Sequence, residues 1–483
     1  AGVAAGMAPG PVGSFCLPVV GREGVDEHGV VGWPGQGGHQ PRSADRPVLT
    51  PLGGVPRPPT GIPGSGSPQY LPEDGGSVGE EPEVRDGLAS FAVDFDLSPE
   101  LSELQRTVRR LAQEKVKPRA RQIDATGEYP SDLFEAFRDA DLLGLCLPTE
   151  LGGSGAGILG LTIAIEEVAK HSNAAALMLL LTRLPVGPVL IAGNDDQKRR
   201  YLPGIADGSL RAAFGLSEPQ AGSDVAGMRT RAVPDTGAAG GWVLTGTKCW
   251  MSGVREADWY TVFAKTGDPA SRAHDSITAF IVERSWDGVS VGRTDHKMGV
   301  RGVDTGELVL DGVHVPAENV IGEVGGFRLA MLGLNAMRPI VAARGIGLAE
   351  GALMYATEYV QQREAFGHTI ADFQGIQWEI AKLAVDIEAA RLLTYRSAWL
   401  ADQGKFTKEY VPFLSMAKYH ATELAVRASG LAVQLLGAAG YMEDHPTELW
   451  YRDARQLTIV EGTSQVQLGL IARGVLARDL WWD

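Results

Sequence analysis

Three stretches of this sequence hold residue types that could do chemistry together. The first is Leu457-Thr-Ile-Val-Glu-Gly-Thr-Ser-Gln, where Glu461 follows the apolar Leu457, Ile459 and Val460 and precedes Gly462. A carboxyl among apolar side chains loses the solvation that favours its charged form. Its pKa rises, and it can then take a proton at neutral pH. Gly462 lets the backbone approach a ligand. The same pattern also suits an ordinary carboxylate at a helix N-terminus, favoured by the dipole, and the residues alone leave both readings open. The second stretch, Phe214 to Gly227, is rich in Gly and Ser. Its N–H groups could bond carbonyl or phosphate oxygens, although a plain turn has the same composition. The third, Trp250-Met251-Ser252, sets an aromatic plane beside a hydroxyl. A core Trp followed by a turn Ser reads equally well.

Three kinds of element must position these residues. Ser98-Pro99-Glu100-Leu101 reads as a helix start, with Ser98 as N-cap and Pro99 in the first helical position. Leu101, Leu104, Val108 and Leu111 follow at helical spacing. Helical segments continue through Ser131–Ala140, Leu159–His171, Asn173–Leu184 and Asp195–Ala206. After Phe214 the texture becomes short β-rich runs at 241–251, Trp259–Ala264, Ile277–Val282 and Glu307–Leu310, separated by Gly, Pro and Asp turns. From Phe327 onward long helical periods return, over 327–361, 373–403, 407–438 and 463–480. The expected fold is α+β, mainly α. It has an N-terminal helical domain (95–213), a middle antiparallel β domain (214–322) and a C-terminal four-helix bundle (323–483).

Residues 1–90 differ in kind. They hold 14 of the 28 prolines and 20 of the 62 glycines, and the first lysine of the chain is Lys115. Such a segment cannot bury enough apolar area to offset its ordering entropy, so disorder is expected. It reads as a flexible tail or a wrongly assigned start. A targeting arm is the alternative, but Glu23, Asp26, Glu27, Glu80, Glu81 and Glu83 disfavour an organelle transit peptide.

Net charge is −15, which argues against a general nucleic-acid surface. Cys16, Cys146 and Cys249 have no metal-type spacing and suggest a reducing, cytoplasmic setting without disulfides. The most apolar stretch, Ala174 to Ala192, is broken by Arg183, Pro185 and Pro188, and it reads as a buried helix and turn instead of a membrane span. No GxGxxG follows a strand, so a Rossmann fold is not supported.

Several strings, in order, make the sequence resemble the acyl-CoA dehydrogenase family over residues 95 to 483. They are Phe214 to Gly227, Trp250-Met-Ser-Gly, Met298-Gly-Val-Arg-Gly and Val315-Pro-Ala-Glu-Asn-Val-Ile-Gly, then Gln362-Arg-Glu-Ala-Phe-Gly, Gln434-Leu-Leu-Gly-Ala-Ala-Gly-Tyr and Tyr451-Arg-Asp-Ala with Glu461-Gly-Thr-Ser-Gln. The resemblance implies a helical–β–helical fold, bound FAD and a homotetramer or homodimer. It implies dehydrogenation of an acyl-CoA thioester, with an electron-transfer flavoprotein as electron acceptor; the alternatives are a carrier-bound acyl thioester as substrate, an oxygen-using acyl-CoA oxidase or flavin monooxygenase of the same fold, and, last, a non-catalytic helical scaffold. Glu461 would be the base. Phe214, Leu216 and Ser217 would hold the flavin, with Trp250 over the ring, Met251 beside it and Ser252 near N5. Ser223 would face cofactor and thioester, and Thr463 and Gln465 would face FAD. Arg363, Phe366, Gln374, Gln434, Leu435, Leu436 and Gly437 resemble positions that hold the FAD of a neighbouring subunit. Asn335, Arg338 and Gly462 would meet the substrate. A second family location for the base is occupied here by Met337, which cannot take a proton. Val460 stands where an aromatic residue is common, Ser252 replaces a more usual Thr, and Met251 is also less usual. These departures bear on substrate identity.

Overall fold

The computed structural model describes residues 96–237, 240–267, 275–477 and 480. The segment 1–90, expected to be disordered, lies outside the described residues.

Among the described residues, seven α-helices form the first part: α1 Pro99–Leu111, α2 Ala120–Thr126, α3 Ser131–Asp139, α4 Gly157–Ala169, α5 Asn173–Leu181, α6 Gly187–Ala192 and α7 Asp195–Ala206. Ser98 caps α1 by accepting from the Leu101 N–H, with Pro99 in the first turn. Asn194 and Gln197 close a reciprocal capping box on α7. Helices α4 and α5 are buried almost all round, which explains their nearly continuous apolar sequence. The run expected over Asn173–Leu184 stops being α-helical at Leu181, shortly before Pro185, because a proline disfavours helical geometry in its predecessor.

The middle part is an eight-stranded sheet. Its strands are β1 Ala212–Gly215, β2 Arg231–Pro234, β3 Trp242–Ser252, β4 Trp259–Lys265, β5 Ile277–Glu283, β6 Val289–Thr294, β7 Thr305–Val315 and β8 Val320–Ile321. The order is β6-β7-β3-β2-β4-β5-β8, with β1 on β4. The long pairings are antiparallel, while β1 and β2 meet β4 in parallel. The short strands β1, β2, β6 and β8 escaped the sequence reading. Strands β1, β2 and β8 carry only two to four residues, too few to show a period. Between Lys248 and Met251 the β3–β7 register shifts. Trp250 sits there at φ 55°, an irregularity that re-aims a side chain.

The last part has α8 Phe327–Gln362, a small hairpin of β9 Glu364–Ala365 and β10 His368–Thr369, then α9 Gln374–Asp402, α10 Val411–Leu436, α11 Thr447–Leu457 and α12 Ser464–Leu476. Helix α8 packs on α4, α9 and α10, so it is the spine of both helical parts. Helix α11 was not anticipated. It is short, with Leu449, Trp450, Asp453, Ala454 and Leu457 turned inward, and one of those inward residues is charged. No helix among the described residues is long and apolar enough to cross a membrane.

Candidate active site

A 1720 Å³ cavity opens where α5, the sheet, α8 and the α11–α12 connection meet. It exceeds the usual size for one small ligand. Glu461 lines it from the turn between α11 and α12. That turn is unusual. Glu461 adopts φ 52°, the left-handed region, and Gly462 follows at φ 93°. For a non-glycine residue this costs about 1–3 kcal/mol and needs surrounding structure to hold it.

The holder is Lys418 of α10, which has no solvent exposure. Its Nζ donates to the Leu457 carbonyl at 2.8 Å and the Gly462 carbonyl at 2.9 Å, one on each side of Glu461. Gln467 Nε2 adds a bond to the Gly462 carbonyl at 3.1 Å, and Thr463 caps α12 by accepting from the Val466 N–H. The turn is thus tied to α10 and to α12.

Glu461 Oε2 is shut from solvent and has no hydrogen-bond partner among the described residues. Burial pushes its carboxyl up to about 7, against the opposing pull of Arg344 and Lys418. A carboxyl so placed is a poised proton acceptor. Glu461 precedes Thr463, the N-cap of α12, by two positions.

The loop after β1 is fixed by a buried ion pair. Lys248 Nζ lies 2.7 Å from Glu218 Oε1 and donates to the Leu216 carbonyl at 3.3 Å. Glu218 also accepts from the Thr230 N–H at 3.0 Å. Burial alone would raise the Glu218 carboxyl, but the charge and hydrogen bond of Lys248 hold it at about 2. Phe214, Leu216, Ser217 and Ser223 then face the cavity. Trp250 and Ser252 line it from β3, and Trp250 is 55% exposed, so its ring presents a large apolar surface to the space.

Met251 differs from its neighbours. Its side chain is buried in the core of the sheet, on the face opposite Trp250. Only its backbone remains for a ligand, as strand alternation requires.

Asn335, Arg338, Gly462 and Thr463 also line the cavity. Asn335 Nδ2 donates to the Phe406 carbonyl at 3.0 Å. Arg338 Nη1 donates to Ser415 Oγ at 3.0 Å, its Nε has no partner among the described residues, and burial lowers the guanidinium to about 10. Met337 is packed in the helical core with 1% exposure. Gln465 is exposed on α12 and does not line the cavity.

The other expected residues lie apart. Arg363, Phe366, Gln374, Gln434 and Gly437 are exposed, Leu435 is half-buried and Leu436 is buried; none lines the cavity. The cavity does not gather them.

The charged groups that were missed include Lys418, Arg344 and the Glu218–Lys248 pair. Lys418 and Arg344 are lone cations inside apolar helical runs, and that was the available signal. Arg344 has 1% exposure; its Nε donates to Asn173 Oδ1 at 2.8 Å and its Nη2 to Gln456 Oε1 at 2.9 Å.

Comparison with known proteins decides the family. Residues 98–209, 213–313 and 325–476 match the acyl-CoA dehydrogenase N-terminal, middle and C-terminal domains. This chain belongs to the acyl-CoA dehydrogenase family. It is 37% identical over 383 residues to a probable acyl-CoA dehydrogenase, fadE25, of Mycobacterium leprae, covering 79% of this chain and 97% of that one. Butyryl-CoA dehydrogenase from Megasphaera elsdenii has a similar structure, with TM-score 0.76, 35% identity and coverage of 79% and 100%. A glutaryl-CoA dehydrogenase from Mycobacterium smegmatis, solved with FADH2, gives TM-score 0.73 at 26% identity, covering 80% and 97%. An acyl-CoA dehydrogenase is an oxidoreductase, and the family implies FAD. The cavity fits such a group on its own terms: it is roomy, has an open aromatic face at Trp250 and carries hydroxyls at Ser217 and Ser252.

Proposed function

We propose that this acyl-CoA dehydrogenase converts an acyl-CoA thioester to the trans-2-enoyl thioester, with Glu461 as the base. The single observation that carries this is the buried, unpartnered Glu461 Oε2 at the cavity wall, with its carboxyl raised to about 7. Loss of the α-proton to Oε2 would accompany departure of a hydride from Cβ, for which bound FAD would supply the acceptor. Leu216, Ser217, Trp250 and Ser252 would hold the flavin side of the cavity, and Ser223, Asn335 and Arg338 the thioester side. Gly462 gives the substrate room beside the base. The apolar Leu177, Leu181, Ile459 and Val460 keep water from the proton transfer.

Electrons would leave to an electron-transfer flavoprotein. Arg363, Phe366, Gln374 and the Gln434–Gly437 turn, all away from this cavity, suit contacts to the FAD of another copy in a homodimer or homotetramer. Glu461→Gln keeps the shape of the side chain and removes its basicity. That variant should bind FAD and stay yellow yet show no substrate-dependent bleaching; full bleaching would overturn the assignment.

A further inference from the structure

Resting on the acyl-thioester reading above, we infer that Arg344 is a specificity residue for acyl groups that carry a hydrogen-bond-accepting oxygen, a carboxylate foremost, at the end remote from the thioester.

Arg344 sits in the otherwise apolar run Pro339–Leu348 of α8 and lines the cavity. Its hydrogen-bond partners are all neutral: Asn173 Oδ1 at 2.8 Å, the Asn173 carbonyl at 3.5 Å and Gln456 Oε1 at 2.9 Å. These hold the guanidinium plane in one orientation. Among the described residues Nη1 makes no hydrogen bond, and no carboxylate lies within ion-pair distance of the side chain. A buried guanidinium without a counter-ion is costly. A neutral side chain would bridge Asn173 and Gln456 at less cost, so the charge calls for another explanation.

The surroundings say where that charge is met. Asn173, Leu177 and Leu181 succeed one another at single-turn spacing along α5. Leu177 and Leu181 line the cavity, and the same helix face ends at Asn173, to which Arg344 is bonded. An apolar wall therefore terminates at a guanidinium. Glu461 and Asp453 are the acids whose fields reach Arg344. Glu461 forms no ion pair with it, and Asp453 is engaged by the Val300 N–H. An acyl chain that passes Glu461 along Leu181 and Leu177 meets the free Nη1 edge. A remote carboxylate would supply the missing counter-charge, and a remote carbonyl or hydroxyl oxygen would use the same donors.

The test uses the FAD-loaded full chain and three thioesters of equal length, ending in methyl, in a ketone or in a carboxylate. Flavin bleaching is followed at a pH high enough to keep Glu461 ionised. The wild type should favour the oxygen-bearing chains by about ten- to a hundredfold in kcat/KM. The carboxylate-ended chain leading would identify ion-pair recognition, and the ketone-ended chain equalling it would identify recognition through hydrogen bonds alone. Arg344→Leu should abolish the preference, mainly through KM, so that the ratios among the three thioesters fall to about one, whatever common factor the loss of Arg344 beside Glu461 imposes on all three. If Arg344→Leu does not retain FAD, the same ratio is read on Arg344→Lys, which keeps the charge without the bonds to both Asn173 and Gln456 and should show a reduced preference. Equal use of the three thioesters by the wild type, or an equal fall on all three in the variants, would overturn the inference. Absence of bleaching with any thioester would instead remove the functional reading on which it rests.

Discussion

Lys418 and Gly462 are joined by a 2.9 Å hydrogen bond from a fully buried ammonium to a backbone carbonyl, and the same ammonium holds the Leu457 carbonyl at 2.8 Å. The pair of bonds brackets Glu461 and stabilises its left-handed backbone. Burial pushes the ammonium itself down to about 8, with Glu461 and Glu423 opposing. Lys418→Met would take the side-chain donor from the buried Leu457 carbonyl, a cost of about 1–3 kcal/mol, and leave the Gly462 carbonyl to Gln467 alone. Turnover should fall by about ten- to a hundredfold, since a base displaced by an ångström loses its approach to the α-proton. FAD absorbance should persist because Lys418 does not touch the flavin side. Wild-type turnover in that variant would show that the clamp is irrelevant to the base.

The pH profile should carry the signature of Glu461. Only the ionised carboxylate takes a proton, so the rate of flavin bleaching should rise with pH through about 7 and level off above it. For stability the sign is opposite. A carboxyl raised from 4.5 to about 7 by folding binds its proton more tightly in the native state, so its contribution is complete below 4.5 and fades as pH rises through 7. Arg344 and Lys418 both pull the value down, so Arg344→Leu should move the kinetic limb to higher pH. A flat profile across the neutral range would contradict this account.

The sequence made the large elements legible and the small ones not. Helices α8, α9 and α10 run 36, 29 and 26 residues, long enough for a period to show. Strands β1 and β8 have four and two residues, too few for any alternation to be counted. The cap at Ser98 was visible because its chemistry is local. The surroundings of Glu461 were not. Arg344 reaches Asn173 across 171 positions and Gln456 across 112, and Lys418 acts on backbone carbonyls, which have no side-chain code. The flanking residues left Glu461 open between a base and a helix-terminus carboxylate, the resemblance favoured the base, and the cations around it stayed hidden.

The Glu218–Lys248 pair should control the loop that carries Ser217. Glu218→Gln leaves a buried ammonium without its counter-charge, a loss of about 3–5 kcal/mol. Since the Glu218 carboxyl is held at about 2, its stabilisation is present above the ordinary 4.5 and is lost as pH falls toward 2. Chemical denaturation at neutral pH should show the loss, and the gap between wild type and variant should narrow in acid. FAD affinity should fall too, because the Leu216 carbonyl and the Thr230 N–H share this anchor. A variant of unchanged stability would mean the pair is not ionised in the folded protein.

Helix α9 supplies the last prediction. Trp378, Val385, Leu392 and Trp399 recur at seven-residue intervals and are 60%, 69%, 47% and 49% exposed. That interval keeps them on one face, as in paired helices, and such an apolar stripe is unfavourable in water. Gln374 opens the same helix, and Arg363 and Phe366 lie just before it. A second copy packed on the stripe would bring those residues near that copy's cavity and tie assembly to cofactor retention. Leu392→Asp combined with Trp399→Glu should therefore lower the mass seen by sedimentation and weaken FAD binding by about tenfold or more, while circular dichroism keeps its helical signal. A smaller particle with unchanged FAD affinity would show that the stripe assembles the protein without completing its flavin site. An unchanged mass would show that α9 is not the contact.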